Sequence, residues 1–119
     1  MRLITVDAIL QRAVQAAESV KGYDPVVLDI RKLTVVSDYF LIVTGRSTTH
    51  VKAIADHIVE ELEDEGVFPL RREGQKEGRW VLLDYNHLVI HIFLDEERVF
   101  YNLERLWGDA PVVNIRASI

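Results

Sequence analysis

Tyr39-Phe40-Leu41-Ile42-Val43-Thr44, then Gly45-Arg46-Ser47, then Val51, Ile54, Ala55, Ile58, Val59 and Leu62 together decide the fold class. The first six residues are almost continuously apolar, as in a strand covered on both faces. Gly45 to Ser47 turn the chain. The later positions recur at a 3.6-residue period, which predicts a helix over about 48–65 that Gly66 stops. A strand, a glycine turn and an amphipathic helix in that order make most of a βα unit.

Upstream, Val6, Ile9, Leu10, Ala13, Val14, Ala17 and Val20 form one helical stripe, with Thr5 as N-cap and Gly22 as the terminating glycine. Pro25 then opens a short strand, Val26-Val27-Leu28-Asp29-Ile30, and a polar connection follows. Downstream, Val67-Phe68-Pro69-Leu70 reads as a short strand that Pro69 pushes to a sheet edge. Residues 79–84 and 88–94 read as an antiparallel hairpin turned at Asn86, which tolerates positive φ. Asp95 can cap a third helix with Val99, Phe100, Leu103, Leu106 and Trp107 as its apolar face, ended by Gly108. The order α-β-β-α-β-β-β-α predicts an α/β (α+β) single domain, a five-stranded mixed sheet flanked by helices. The expected domain is 1–108, with 109–119 a loosely held tail.

A chain of 119 residues supports one core. No apolar run approaches the ~20 residues of a membrane helix, and no signal-peptide core follows Met1. Absence of cysteine excludes disulfides, thiolate metal sites and cysteine nucleophiles, and a cytoplasmic protein with no membrane partner is expected. The formal net charge of −5 argues against direct binding of nucleic acid, whose phosphates call for Lys and Arg. On a nucleic-acid particle, such a chain would more readily meet a basic protein.

Spacing removes most candidate chemistry. His50 and His57 are seven apart on a helix, separated by about 10 Å along its axis. His87 and His91 are four apart in or beside a strand, about 13 Å. Neither pair can hold an ion, and the histidines read as surface or turn residues; no metal or cofactor is expected. The turn Thr44-Gly45-Arg46-Ser47 precedes a helix N-terminus but lacks a phosphate-binding lysine or a Gly-x-Gly-x-x-Gly pattern. Asp29, Asp38 and Asp84 form no Asp-x-Asp pair of the kind that holds Mg²⁺, and no serine or threonine sits in a nucleophile elbow. No phosphoryl or nucleotidyl transfer is expected, and the protein reads as a binder rather than an enzyme.

What stands out is aromatic excess beside a polar minority. Alternation puts Trp80, Leu82 and Asp84 on one face of their strand, and Val89, His91 and Phe93 on one face of the next. A face mixing Trp, Asp and His suits a protein interface. Two placements of Trp80 satisfy the pattern, at the centre of that interface or buried beneath the third helix. The expected partner-binding residues are Trp80, Leu82, Asp84 and His91, with Tyr101 as a neighbour.

Several segments in order resemble one family. They are Leu28-Asp29-Ile30, the run Ser37 to Ser47, His50-Val51 and Ala53-Ile54-Ala55-Asp56, followed by Glu73-Gly74, the run Gly78 to Tyr85, Val89-Ile90-His91-Ile92-Phe93 and the run Phe100 to Trp107. Collinear over about residues 5 to 108, they resemble the ribosomal silencing factors, the Iojap-related family. The turn Tyr85-Asn86-His87 departs from the glycine and aspartate often found there. The resemblance implies a fold similar to nucleotidyltransferases without their catalytic carboxylates. It also implies binding to ribosomal protein L-fourteen of the large ribosomal subunit, steric blocking of small-subunit joining, and repression of translation. The alternatives are a nucleotide-binding or nucleotidyltransferase-like enzyme using the Gly45 turn, and a large-subunit assembly factor. An exposed apolar sheet face would also permit a homodimer off the ribosome.

Overall fold

In the computed structural model, which describes residues 5–113, the chain runs α1 (Val6–Ser19), β1 (Tyr23–Asp29), β2 (Tyr39–Gly45), α2 (Thr48–Asp64), β3 (Arg71–Glu73), β4 (Trp80–Asp84), β5 (Leu88–Leu94), α3 (Asp95–Tyr101) and α4 (Leu103–Leu106). The strands form one mixed sheet in the order β1-β2-β5-β4-β3. Only the central β2–β5 pair is parallel, and β1–β2, β5–β4 and β4–β3 are antiparallel. The predicted α+β architecture with a five-stranded mixed sheet is the one observed. None of the described helices is long and apolar enough to cross a membrane.

The helices form where the stripes placed them. Thr5 caps α1, its Oγ1 accepting from the Ala8 amide at 3.1 Å. Ser47 caps α2 in the same way, accepting from His50 at 3.0 Å. Replacing that cap, Ser47→Ala, is expected to cost about 1 kcal/mol, read as a lower urea midpoint at unchanged slope. At the end of α1 the left-handed residue is Lys21 (φ 71°), not Gly22. Gly22 serves a different need: a Cβ there would lie 2.9 Å from the Ala17 carbonyl oxygen and 3.1 Å from Val43 Cγ2. The strand entering the sheet passes too close for a side chain.

Strand boundaries moved at both sheet edges. β1 begins at Tyr23, three residues earlier than expected, because a bulge absorbs Asp24 (φ 51°) and Pro25 between the Tyr23↔Thr44 and Val26↔Ile42 pairs. A bulge is where an edge strand can hold a proline. β3 falls on Arg71–Glu73 rather than on 67–70. The Val67 amide is held by the Leu62 carbonyl at the end of α2, and Pro69 has no N–H to give a ladder. Pairing therefore starts only when the Leu70 amide reaches the Asp84 carbonyl, at 2.7 Å. The hairpin is as predicted, with Asn86 at φ 72° and its amide donating to Asp84 Oδ1 at 2.8 Å.

Each sheet face has its own core. On one, Leu41, Val43, Val81, Leu83, Ile90 and Ile92 pack under Leu10 and Val14 of α1 and Ile54, Ile58 and Leu62 of α2. On the other, Leu28, Ile30, Phe40, Ile42, Val89 and Phe93 meet Leu103 and Ala110, with Trp80, Leu82 and Trp107 half-buried around them. Among the described residues, no long helix lies over the second face.

The third helix departs most from expectation. It breaks at Asn102, which is left-handed (φ 43°), into α3 and α4. Asn102 then caps α4, accepting from the Arg105 amide at 3.3 Å. At the start of α3 the cap position is Leu94, not Asp95, and it offers no side-chain bond. The break rotates the two halves, so Leu103 is buried and Trp107 half-buried while Val99, Phe100 and Leu106 are exposed. Arg98 holds the corner, donating to the Asp24 carbonyl and Thr44 Oγ1, both at 2.6 Å, and to the Glu104 carboxylate at 3.3 Å.

The first residues of the expected tail are not loose. Val113 donates to the Val27 carbonyl and Asp29 to the Pro111 carbonyl, both at 2.9 Å, and Leu28 bridges Val112. Ala110 is buried. The segment covers the open edge of β1, whose unpaired backbone groups provide the attachment. The rest of that tail lies outside the described residues.

Candidate docking surface

The five residues named from sequence lie on the sheet face opposite α1 and α2. β4 alternates half-buried and buried, so Trp80, Leu82 and Asp84 project to this face while Val81 and Leu83 enter the helix-covered core. Register on β5 pairs Trp80 with Phe93, Leu82 with His91 and Asp84 with Val89. α3 brings Tyr101 to the same place, its ring centroid 4.7 Å from that of Trp80.

Trp80 is the hub of an aromatic run. Its ring lies 4.8 Å from Phe93 and 5.9 Å from His91, and Tyr101 continues to Phe100 at 5.1 Å. It is half-buried, between the two placements the sequence left open. Phe93 and the exposed Tyr101 both pack against its ring, and a partly exposed aromatic of this size can supply much of a contact.

Two of the five differ from a simple contact residue. Asp84 is engaged within the domain, accepting from Arg71 Nε at 3.2 Å and from the Asn86 amide, so it secures the β4–β5 turn and the β3 edge. His91 is only 5% exposed and lies under the surface rather than on it. Its Nδ1 accepts the Trp80 indole N–H at 3.1 Å, and Phe40 packs edge-on at 4.7 Å. Burial pushes its pKa down to about 4.

That shift sets a pH dependence. The buried ring stays neutral while an unfolded chain takes up a proton below about pH 6.5, so above that pH His91 brings no protonation penalty to the fold. From there down to about pH 4 the unfolded chain gains the proton and the folded one does not, so stability falls by no more than about 1.4 kcal/mol per pH unit. Urea midpoints between pH 7 and 4 are expected to fall in the parent and to fall less steeply in His91→Phe. Equal slopes in the two proteins would remove His91 as the cause.

The other histidines each have a local partner. His50, half-buried rather than at the surface, accepts from the Arg46 amide at 2.9 Å through Nδ1 and donates from Nε2 to the Val20 carbonyl at 2.8 Å. It thereby ties the β2–α2 turn to the end of α1. His57 faces Glu61 at 3.4 Å and His87 faces Asp38 at 3.1 Å. The strand carboxylates also disperse, Asp29 to Arg31, Asp38 to His87 and Asp84 to Arg71. Among the described residues no three His, Asp or Glu side chains gather as a metal site would require.

Sequence reasoning missed Val99, Phe100 and Leu106 as surface residues, since an unbroken helix would bury that stripe. They lie 73–79% exposed beside Tyr101. Asn102 was the available signal, because asparagine enters the left-handed region far more readily than most residues. Charge also gathers here: Asp95, Glu96 and Glu97 open α3, with Glu97 paired to Arg79 at 2.8 Å and the exposed Glu96 4.0 Å from the same guanidinium.

Comparison with known proteins agrees with this architecture. Residues 4–118 match the family described as ribosomal silencing factor during starvation. The ribosomal silencing factor of Halalkalibacterium halodurans is 40% identical over 111 residues, which is 93% of this chain and 95% of that protein. A crystal structure of a Chromobacterium violaceum protein superposes with a TM-score of 0.86 at 36% identity, covering 88% of each chain. A mouse protein named for mitochondrial assembly of the ribosomal large subunit is 35% identical over 74 residues, which is 60% of this chain and 32% of that longer one. Matched over residues 4–118 by that family, and with nearly its whole length in common with the two bacterial proteins, the chain belongs to the family of ribosomal silencing factors.

Proposed function

We propose that the Trp80 face docks on the large ribosomal subunit through ribosomal protein L-fourteen, and that the bound domain sterically blocks the small subunit and so represses translation. The observation that carries this reading is the half-buried Trp80, packed at a tilt against Tyr101, on the sheet face that α1 and α2 leave open. Ribosomal proteins are basic because they neutralise RNA phosphates. A chain of net charge −5, with carboxylates opening α3 beside the tryptophan, is complementary to such a partner. Size supplies the rest. The described domain measures 38 × 33 × 26 Å, and even its thinnest dimension is far wider than the van der Waals gap between joined subunits. Blocking needs no catalysis, and dispersal of the strand carboxylates onto separate partners fits a binder.

Sedimentation with separated subunits tests the proposal. The protein is expected to travel with large subunits, not with small ones, and to lower the fraction of subunits that join. Equal cosedimentation with small subunits or joined ribosomes would sink it. The name of the mouse relative favours a second reading, assembly of the large subunit, which would use the same surface. That reading requires binding to incomplete large particles at least as strong as to finished subunits.

A further inference from the structure

We propose that His91 is the positioning residue of the docking face: its Nδ1 takes the Trp80 indole N–H and sets the plane in which that ring is offered to the partner. The inference rests on the reading that the Trp80 face meets the large subunit.

The chemistry of the pair is fully determined. An indole N–H can only donate, so the Nδ1 it reaches at 3.1 Å must be an unprotonated acceptor. The neutral ring then carries its hydrogen on Nε2. That atom is buried and has no hydrogen-bond partner among the described residues. Around the imidazole, Phe40 stands edge-on at 4.7 Å and Phe93 lies nearly parallel at 6.1 Å, so the ring cannot turn to use both nitrogens at once.

A histidine so placed is a poor choice for stability alone. The neighbouring floor is Phe40, Ile42, Val89 and Phe93, where an apolar side chain would pack without stranding a donor. Stripping water from a donor and returning nothing costs more than one neutral hydrogen bond gains. What the histidine supplies instead is direction. Trp80 is held by tilted contacts with the Phe93 and Tyr101 rings, which are not directional at any one atom, and a hydrogen bond at its one polar atom fixes the ring's orientation. A ring already oriented loses less entropy on binding. A stabilising residue given up for a better-ordered site is a common trade.

The test is a double-mutant cycle on large-subunit affinity with melting measured in parallel. His91→Phe is expected to melt at or above the parent yet bind about tenfold more weakly. In a Trp80→Phe background, which keeps a ring but has no N–H to orient, the same change is expected to cost nothing further. His91→Asn, whose Oδ1 can stand near the position of Nδ1, is expected to recover most of the affinity. Side-chain nitrogen shifts of the parent should report the Nε2–H tautomer, a readout that does not depend on any variant folding. Overturning results are parent-like binding by His91→Phe, an equal loss in both backgrounds, weak binding that follows a large drop in melting temperature without rescue by asparagine, or the Nδ1–H tautomer. If Trp80→Arg and Trp80→Phe both bind like the parent, the docking face is misplaced and this proposal falls with it.

Discussion

Trp80→Arg is expected to weaken binding to large ribosomal subunits by about 2 kcal/mol or more, roughly 30-fold, while the protein stays folded. The substitution removes the hub of the run from Phe93 to Tyr101 and sets a cation on a face proposed to meet a basic partner. The fold can tolerate it for a geometric reason. Trp80 is half-buried at the border of the second core, and the larger core under α1 and α2 lies across the sheet. An arginine there can lay its stem over Phe93 and keep its guanidinium in water. A core position would behave differently, since a buried unpaired charge costs several kcal/mol in a domain with little to spare. Thermal melting and cosedimentation of this one variant separate the cases. A melting point far below the parent makes Trp80 a core residue, and normal binding by a stable variant puts the interface elsewhere.

Gly74→Ala should destabilise the fold by about 3 kcal/mol or more and weaken large-subunit binding at the same time. Gly74 has φ +85°, where a Cβ alone costs about 1–2 kcal/mol. Steric overlap adds more than this. A Cβ built there lies 1.9 Å from the Trp80 carbonyl oxygen and 3.0 Å from its carbonyl carbon, and backbone atoms cannot swing aside as a flexible side chain would. Something must move, and the start of β4 is what the loop presses on. The Glu73↔Leu82 pair next to it would strain first, carrying Trp80 with it. Urea unfolding monitored by tryptophan fluorescence reads the stability, and sedimentation reads the binding. A midpoint equal to the parent's would show that the loop relaxes freely and that Trp80 does not depend on it.

Much of this fold is legible along the chain because its signals are local. The stripes of α1 and α2, the caps Thr5 and Ser47, the turn at Asn86 and the alternation along β4 each depend on residues within a few positions. Alternation was enough to put Trp80, Leu82, Asp84 and His91 on one face, since a strand has period two. The errors fall where a long-range partner outweighs local preference. An unbroken third helix satisfied every local rule, but Arg98 is engaged by Asp24, 74 positions earlier, by Thr44, 54 earlier, and by Glu104, and the chain bends at Asn102 to reach them. β3 moved because the Asp84 carbonyl meets the chain at Leu70, past the proline. The tail lacked a pattern of its own because its order comes from the edge of β1.

The candidate site divides in the same way. Sequence by itself determined the family, the α+β class, which residues share the open face, and the absence of a paired-carboxylate motif, because composition and short-range spacing carry that information. How far each of those residues reaches the surface was decided only by tertiary structure. Trp80 is half-exposed because its neighbours on β5 are Phe93 and His91 and, among the described residues, no helix longer than α3 and α4 lies on this face. His91 has the same alternation as Leu82, yet it is buried, because β5 is a central strand with β2 and β4 on its two sides. Asp84 points to the open face and is taken up by Arg71, a partner that exists only once β3 has paired. Burial is a property of what lies across from a residue, and sequence spacing reports only what lies along it.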